Sequence, residues 1–324
     1  MKFIDVNEQQ ELVFNQTLTP IIADDECLLK VHGCGVNRAD LLQRAGKYPP
    51  PPGESPILGL EVCGEITKLG SGVGSFNIGD KVLGLVGGGG YSEFVKIKAS
   101  HMIPLPEHLS FAQGAAIAEV YLTAFQSLFS IANLQPKQQV LIHAGASGVG
   151  TAAIQLCKAI NAQVTVTVSS EKKANACKAL GADNIINYTE EDFVAWKKQN
   201  LKSGFDVILD VVGGDYLSRN IDVAALDSKI VMLAMLGGRF CEKVDVAKML
   251  LKRVNIHAST LRSRSDSYKS KLVEDFSDKF SLALSKGLIK PVIEQEFDWS
   301  EADQAHNLMS QNKNIGKYIL TINH

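Results

Sequence analysis

Apolar and polar residues follow one another along this chain in two different ways. Up to about residue 118, short apolar runs such as Cys27–Val31 and Gly64–Leu69 lie between glycine-rich turns, a pattern typical of β-strands. From about 119 to 260, short apolar runs alternate with segments of helical spacing. This alternation predicts a parallel sheet with helical crossovers. The chain is therefore expected to be an α/β protein that combines a β-rich domain with a doubly wound sheet.

Six strands are predicted in the middle part of the chain. They are Val140–Ile142, Ala162–Val168, Asn184–Tyr188, Phe205–Val212, Lys229–Leu236 and Val254–Ser259. A helix is predicted at Glu171–Leu180, and a second helix is expected to open at Thr189–Asp192 in the manner of a capping box.

The last part of the chain resumes the first pattern. A helix with a polar outer face is predicted at Tyr268–Leu284, and a final strand at Gly316–Ile322. We therefore expect residues 1–118 and 261–324 to form one domain, with residues 119–260 inserted as the second.

A turn of small residues joins the first strand of the middle part to a helix. Gly145 and Gly150 fit the first and third glycines of a dinucleotide-binding fingerprint, whereas Ser147 stands at the second. Small residues let the backbone approach a pyrophosphate, and the helix N-terminus adds free N–H groups and the positive end of its dipole. The residues predicted to hold a dinucleotide at this turn are Gly145, Ala146, Ser147, Gly148 and Val149.

Composition narrows the class of protein. The chain has 324 residues, of which 45% are hydrophobic, and a net charge of −2, which argues against nucleic-acid binding. No apolar run reaches membrane-spanning length, and the first residues lack the apolar core of a signal peptide. The six cysteines are scattered, with neither a C-x-x-C pair nor zinc-site spacing. A cytoplasmic protein without a membrane partner or a metal site is expected.

The end of the second predicted strand bears on the choice of cofactor. A site for NAD usually has an acidic residue there to bind the ribose 2′-hydroxyl. This chain has Ser169 and Ser170, followed by Glu171 and then Lys172 and Lys173. Two hydroxyls with an ammonium nearby suit a 2′-phosphate, so NADPH is predicted. Two alternatives stay open: Glu171 facing the ribose, and an ordinary solvated helix start.

Several separated motifs occur in an order that resembles the zinc-free quinone oxidoreductase branch of the medium-chain dehydrogenase/reductase superfamily, and within it the p53-inducible type. The likeness covers essentially the whole chain and implies a GroES-like catalytic domain joined to a Rossmann domain. The motifs are Asn37–Gln43, Tyr48–Gly53, His143–Leu156, Leu261–Arg264 and Asn312–Lys317.

The resemblance also bears on zinc. Zinc alcohol dehydrogenases of this superfamily carry a ligand cysteine where this chain has Asn37, and a ligand histidine where it has Leu60. Without a Lewis acid, oxidation of a simple alcohol loses its means of stabilising an alkoxide. A quinone needs less help, because hydride addition gives an aromatic hydroquinone anion. The missing ligands are therefore expected to accompany reduction of activated acceptors.

Site residues follow from the resemblance position by position. Asn37 and Tyr48 are the catalytic candidates: Asn37 to orient the nicotinamide or the acceptor carbonyl, and Tyr48 either to donate a hydrogen bond to the developing oxyanion or only to pack on the substrate. Tyr188 corresponds to a tyrosine near the adenosine phosphate, and Asn314 lies in a closing segment that reaches back to the cofactor. The residues implied to line the nicotinamide side are Thr123, Ala234, Met235, Ser259 and Leu261.

The predicted activity is hydride transfer from NADPH to a quinone bound in the interdomain cleft. One alternative is an NADPH-dependent reductase of enones or enoyl thioesters, for which Arg38, Arg44 and Lys47 offer a weak basic cluster. Another is a nucleotide-binding sensor or structural protein with little turnover. The resemblance further implies a homodimer, with Val254–Ser259 as the candidate edge strand.

Overall fold

The computed structural model describes residues 1–324. Its strands are β1 (Lys2–Val6), β2 (Leu12–Gln16), β3 (Glu26–Gly35), β4 (Glu61–Leu69), β5 (Lys81–Leu85), β6 (Phe94–Lys98), β7 (Met102–Pro104), β8 (Gln139–Ile142), β9 (Gln163–Val168), β10 (Asn184–Asn187), β11 (Phe205–Asp210), β12 (Ala224–Met232), β13 (Asn255–Ala258), β14 (Ile293–Asp298) and β15 (Lys317–Thr321).

Its α-helices are α1 (Arg38–Arg44), α2 (Phe111–Gly114), α3 (Ala118–Phe125), α4 (Gly148–Ala159), α5 (Glu171–Ala179), α6 (Phe193–Asn200), α7 (Tyr216–Val223), α8 (Val246–Lys252), α9 (Asp266–Ser285) and α10 (Ala302–Ser310). A π-helical segment, Gln126–Ile131, continues α3, and short 3₁₀ turns lie at Ala99–His101 and Trp299–Glu301.

The chain folds into two compact units. We call Thr123–Thr260 the nucleotide unit, and Met1–Leu122 together with Leu261–His324 the catalytic unit. The sequence placed the first boundary at residue 118. The helix Ala118–Phe125 carries the chain across that point, because its apolar spacing continues without a turn signal.

The nucleotide unit is built on a six-stranded sheet in the order β10-β9-β8-β11-β12-β13. Every neighbouring pair is parallel, which confirms the predicted doubly wound class. The first strand of the unit, β8, lies in the middle, and the strand order reverses there. The apolar core that supports the sheet includes Leu141, Phe193, Phe205, Ile208 and Ile230, all fully buried.

The catalytic unit is built on a seven-stranded sheet in the order β14-β15-β3-β4-β5-β7, with β6 also paired to β3. The pairs are antiparallel except β14 with β15, and the hairpin β1–β2 forms a separate small sheet. Residues from both ends of the sequence share one core, in which Cys27, Val31 and Val62 pack with Phe297 and Leu320. The predicted GroES-like fold is confirmed.

Two predicted element boundaries were wrong. The strand predicted at Lys229–Leu236 begins earlier, at Ala224, and ends at Met232, because the apolar residues beyond it belong to a loop. The expected capping box at Thr189 is absent. The helix begins at Phe193, and the Asp192 carboxylate accepts the backbone N–H groups of Val194 and Ala195, each at 2.9 Å.

One helical stretch, Phe111–Ile131, is long and apolar enough to cross a membrane by length and composition alone. Because 72% of its most apolar window is buried inside the protein, it fits a core helix, which passes the same test.

Candidate functional site

The turn that follows β8 holds the start of helix α4 close to the end of the strand. The N–H of Gly145 donates to the carbonyl of Thr167 at 3.0 Å, which fixes the turn on the neighbouring strand. Ser147 is the N-cap of α4, and its hydroxyl accepts the N–H of Gly150 at 3.0 Å. A Cβ on Gly150 would lie 2.5 Å from the carbonyl oxygens of both Ala144 and Gly145. Only a glycine there lets the helix start against the turn, as the fingerprint predicts.

Polar groups gather where the next two strands end. Ser169 and Ser170 follow β9 directly, and the Lys173 ammonium lies 3.4 Å from the Ser169 hydroxyl. Ser170 caps α5 by accepting the N–H of Lys173, also at 3.4 Å. Tyr188 follows β10, where its N–H donates to Val168 at 3.0 Å and its side chain is exposed. The structure thus brings the four residues predicted for the adenosine end of the cofactor to two adjacent strand ends.

The remaining predicted residues of the nucleotide unit divide into two groups. Ala234 and Met235 follow β12, and Ser259 follows β13, so they share the sheet edge with the turn after β8. The Ser259 hydroxyl is buried and accepts from the Gln126 amide at 3.1 Å. Thr123 lies on a helix, where its carbonyl accepts the Ser127 hydroxyl at 2.7 Å.

In the catalytic unit, Tyr48 lies against an arginine. The Arg262 guanidinium is 5.5 Å from the centre of the Tyr48 ring, and it donates to the Tyr48 carbonyl at 3.5 Å and to the Gly87 carbonyl at 2.9 Å. The third nitrogen, Nη2, is buried without a hydrogen-bond partner. Burial raises the pKa of the half-buried Tyr48 phenol, so it remains a neutral O–H donor at neutral pH.

Asn37 belongs to a buried polar cluster. Its amide nitrogen donates to the Gly35 carbonyl at 3.1 Å and to Glu61 Oε1 at 3.0 Å, and its Oδ1 accepts from the Lys317 ammonium at 2.5 Å. Lys317 also lies 2.7 Å from Glu61 Oε1 and donates to the Val36 carbonyl at 2.8 Å. Both the nitrogen and the oxygen of the Asn37 amide therefore have partners within the cluster.

Asp40 joins this cluster from helix α1. One of its oxygens accepts the N–H of Asn37 at 2.7 Å, and the other accepts the N–H of Gly59 at 3.1 Å. Burial is the main cause that raises the pKa of Asp40 to about 6, and the two backbone donors oppose it.

Leu261 and Asn314 lie in the catalytic unit. Leu261 is buried, and the Asn314 amide donates to the Gly316 carbonyl at 2.6 Å, which shapes the segment before β15.

Two of the three basic residues considered for an enoyl-thioester reductase have partners within this unit. Arg44 pairs with Asp303 at 2.6 Å, and Arg38 donates to the side chain of Asn312.

Sequence reasoning missed two residues of the catalytic unit. Lys317 and Arg262 were noticed only as parts of motifs. Each acquires its surroundings from residues far away in sequence: Lys317 binds Asn37 across 280 positions, and Arg262 binds Tyr48 across 214. A lysine in an otherwise apolar β-strand, as in Lys317–Thr321, was the one local sign of a buried charge.

A zinc ion does not fit the residues at the place that the resemblance suggests. Zinc prefers cysteine and histidine ligands. Here Asn37 and Leu60 stand in those positions, and the ammonium of Lys317 lies among the oxygens of Asn37, Glu61 and Val36. No group of three or more histidine, cysteine, aspartate or glutamate side chains is arranged to hold a metal ion.

A cavity of about 960 Å³ opens elsewhere in the catalytic unit. The Gly87–Gly89 loop, Arg262 and the N-terminal end of α9 line it, whereas Tyr48 and Asn37 do not. Arg262 therefore both lines this cavity and contacts Tyr48.

Known proteins match the chain along its length. The profile of the alcohol dehydrogenase GroES-like domain matches residues 23–107, and that of the zinc-binding dehydrogenase family matches residues 148–278. The quinone oxidoreductase of Rattus norvegicus is 30% identical over 95% of this chain and 92% of its own length. A synaptic vesicle membrane protein VAT-1 homolog of Danio rerio is 30% identical over 93% of this chain, which spans 65% of that protein. The structure of Escherichia coli quinone oxidoreductase complexed with NADPH superimposes with a TM-score of 0.86 at 28% identity, covering 99% of this chain and 98% of that one.

The first profile lies within the catalytic unit, whereas the second covers most of the nucleotide unit and continues to residue 278 in the catalytic unit. The nearly full-length likeness to a relative at 30% identity decides the family. The chain belongs to the medium-chain dehydrogenase/reductase superfamily, as an NAD(P)-dependent oxidoreductase related to the quinone oxidoreductases.

Proposed function

We propose that this protein is an NADPH-dependent quinone reductase that works without zinc. The observation that carries the proposal is the Lys317 ammonium, which lies 2.5 Å from Asn37 and 2.7 Å from Glu61, where a metal would need ligands. Without a Lewis acid, an activated acceptor such as a quinone is the better partner for hydride transfer. The relative named quinone oxidoreductase supports the same class of acceptor.

NADPH is proposed as the cofactor because of the end of strand β9. Ser169, Ser170 and Lys173 offer hydroxyls and an ammonium for a 2′-phosphate, and Glu171 is exposed on the first turn of α5. The Escherichia coli quinone oxidoreductase structure is a complex with NADPH, which supports this choice. The further residues proposed to bind the cofactor are Asn37, Thr123, Gly145, Ala146, Ser147, Gly148, Val149, Tyr188, Ala234, Met235, Ser259, Leu261 and Asn314.

Replacing Lys173 by Ala is expected to raise the KM for NADPH by about 10- to 100-fold, because a charge-assisted hydrogen bond to the 2′-phosphate is lost. The KM for NADH, which lacks that phosphate, should hardly change. Lys178→Ala, on the exposed side of the same helix, is the matched control. Equal losses with NADPH and NADH would contradict the proposed role of Lys173.

The chain's own groups contribute positioning and charge. The bound nucleotide supplies the hydride. The Tyr48 hydroxyl donates a hydrogen bond to the acceptor oxygen that gains negative charge, and the positive charge of Arg262 stabilises the same oxygen. Arg262 brings a buried Nη2 whose hydrogen bonds are unmade, which suits an acceptor oxygen.

Steady-state kinetics with NADPH test the acceptor class. Ortho- and para-quinones should give a higher kcat/KM than simple enones or an enoyl thioester. Faster turnover of enones would move the assignment to enone reduction on the same fold. Two of the three basic residues considered for a thioester phosphate already have partners within the protein, Arg38 with Asn312 and Arg44 with Asp303.

We also propose a homodimer formed through the nucleotide unit. Strand β13 is at the edge of its sheet, and the neighbouring helix α8 buries none of its residues. Val246, Leu250 and Leu251 of that helix are all more than half exposed. An edge strand next to an apolar helix surface favours pairing with a second copy of the chain.

Leu251→Glu is expected to shift the protein from dimer to monomer, because a carboxylate would have to be buried at the interface. Sedimentation equilibrium measures the mass. Leu282→Glu, at a similarly exposed leucine of helix α9 in the catalytic unit, is the control and should leave the mass unchanged. A mass that is the same for wild type and Leu251→Glu would argue against this interface.

A cytoplasmic location without a nucleic-acid or membrane partner is proposed as well. The net charge of −2 supports it, since nothing in the overall charge favours a polyanion. The one apolar helical stretch is mostly used in the protein core.

A further inference from the structure

A chain of buried hydrogen bonds begins at His143, the residue directly after β8. Its ring Nε2 lies 2.8 Å from Asn220 Oδ1, and its Nδ1 lies 3.0 Å from the hydroxyl of Thr167, on β9. The Asn220 amide nitrogen, on helix α7, donates at 3.0 Å to Oδ2 of Asp210, the last residue of β11. None of the four side chains is more than 1% exposed. The bonds therefore tie together the carboxyl ends of three neighbouring strands, away from solvent.

The donors along this chain determine where the His143 ring carries its proton. Asp210 Oδ1 accepts the backbone N–H groups of Val212 and Gly213 at 2.7 and 3.0 Å, and Oδ2 accepts from the Asn220 amide. With its nitrogen directed to Asp210, Asn220 turns its oxygen to the ring. An amide oxygen can only accept, so Nε2 of His143 carries a proton and donates it. The ring is thereby oriented from the β11 side.

The turn that follows His143 contains a backbone conformation that needs support. Ala144 has a φ of 54°, in the left-handed region, where its Cβ crowds the backbone. Such a residue persists only where its surroundings hold it. On one side, His143 is fixed by its ring and by its N–H, which donates to Leu209 at 3.0 Å. On the other side, Gly145 is fixed by its bond to Thr167. His143 is therefore one of two anchors of the turn proposed to bind the cofactor.

The other end of the chain reaches the residues proposed for the nicotinamide side. Besides holding Gly213 through its side chain, Asp210 accepts the N–H of Leu233 on its backbone carbonyl at 2.8 Å. Gly213 in turn lies against the segment after β12: a Cβ on it would be 3.0 Å from Met235 Cα and 3.1 Å from the Ala234 carbonyl oxygen. Asp210 thus fixes the segment that carries Ala234 and Met235.

We propose that His143, Asn220 and Asp210 are positioning residues of the cofactor site, which hold the turn after β8 in register with the segment of Ala234 and Met235. The inference rests on the proposed binding of a nicotinamide nucleotide at these two places. Each of the three side chains is buried and bonded to another, so it acts through the backbone that it holds. Because both segments serve the part that NADPH and NADH share, the network acts equally on the two nucleotides.

Titrations with NADPH and with NADH, followed by nucleotide fluorescence, measure this role. His143→Phe keeps an aromatic ring against Phe193 and Tyr216 but removes both ring hydrogen bonds, so the Kd of the two nucleotides should rise by the same factor, about 10-fold. In His143→Gln the amide can still donate to Asn220, so this variant should recover most of the affinity. Ile230→Val, which trims the apolar core of the same unit, is the control and should bind both nucleotides as the wild type does.

The proton on the ring is tested in the wild type itself. NMR of isotope-labelled histidine should show a proton on Nε2 of His143 that exchanges slowly with solvent. A ring protonated on Nδ1 alone could not donate to Asn220 and would overturn the network.

The titrations separate this inference from the proposed function. If the wild type binds both nucleotides and His143→Phe, shown to be folded by circular dichroism, binds them equally well, the positioning role is overturned while the proposed function stands. A loss confined to NADPH would also overturn it, because the 2′-phosphate lies at the other site, near Lys173. If the wild type binds neither nucleotide, the proposed function fails and the inference fails with it.

Discussion

Lys317→Met is expected to lower the free energy of unfolding by about 3–5 kcal/mol, because it leaves the Glu61 carboxylate buried and unpaired. Glu61 is fully buried, and its nearest cation is the Lys317 ammonium at 2.7 Å. The same change removes the donor that Asn37 Oδ1 accepts at 2.5 Å. Denaturant unfolding followed by circular dichroism measures the difference.

Two variants separate the buried charge from other effects. Lys271→Met removes an exposed lysine that pairs with Glu274 and Asp275, and it should change stability little. The double variant Lys317→Met with Glu61→Gln removes both buried charges and should recover part of the loss. A double variant no more stable than Lys317→Met would show that the unpaired charge is not the cause.

Gly150→Ala is expected to reduce kcat/KM with NADPH by about 10²-fold, because the added Cβ would push the start of helix α4 away from the turn after β8. A Cβ at this position would approach the carbonyl oxygens of Ala144 and Gly145 to 2.5 Å, and backbone atoms cannot yield as a flexible side chain can. A fluorescence titration with NADPH should show the corresponding loss of affinity.

The matched control is Gly74→Ala, since a Cβ there meets nothing within 4 Å. It should bind NADPH as the wild type does. Unchanged NADPH binding in Gly150→Ala would contradict the assignment of the turn after β8 as the cofactor cradle.

The fold of the nucleotide unit could be predicted from the sequence because its signals are local. Each strand is a short apolar run, and each crossover helix follows within a few residues, as at Val140–Ile142 and the turn from Gly145 to Gly150. The errors in the predicted structure of this unit lie at the ends of its strands and helices. The choice between Thr189 and Asp192 as a cap depends on which oxygen meets the free N–H groups, and only the folded backbone decides that.

The catalytic unit was predicted less completely. The hairpin β1–β2, helix α1, strand β14 and helix α10 were missed, because their apolar positions are completed by residues from the opposite end of the chain. The placement of Tyr48 in a proline-rich loop followed from the sequence. Its partner Arg262 did not, since nothing near either residue marks the pairing.

The residues of the candidate site also divide into those that a local pattern predicts and those whose partners are distant in the sequence. Ser169, Ser170 and Lys173 are neighbours in sequence, and their clustering could be predicted from a strand that ends in a helix cap. Asn37 could be proposed from a motif. The Asn37 amide contacts Glu61 and Lys317, which lie 24 and 280 positions away in the sequence, so only the structure reveals these partners.

A single-turnover experiment separates a quinone reductase from a protein that only binds NADPH. The protein is mixed with one equivalent of NADPH and a para-quinone, and nucleotide absorbance and quinone absorbance are followed together. For a quinone reductase, one NADPH is expected to be oxidised for each quinone reduced, in a single phase that slows when the transferred hydrogen of the nicotinamide is replaced by deuterium. Binding of NADPH without any oxidation by the quinone would overturn the proposed activity.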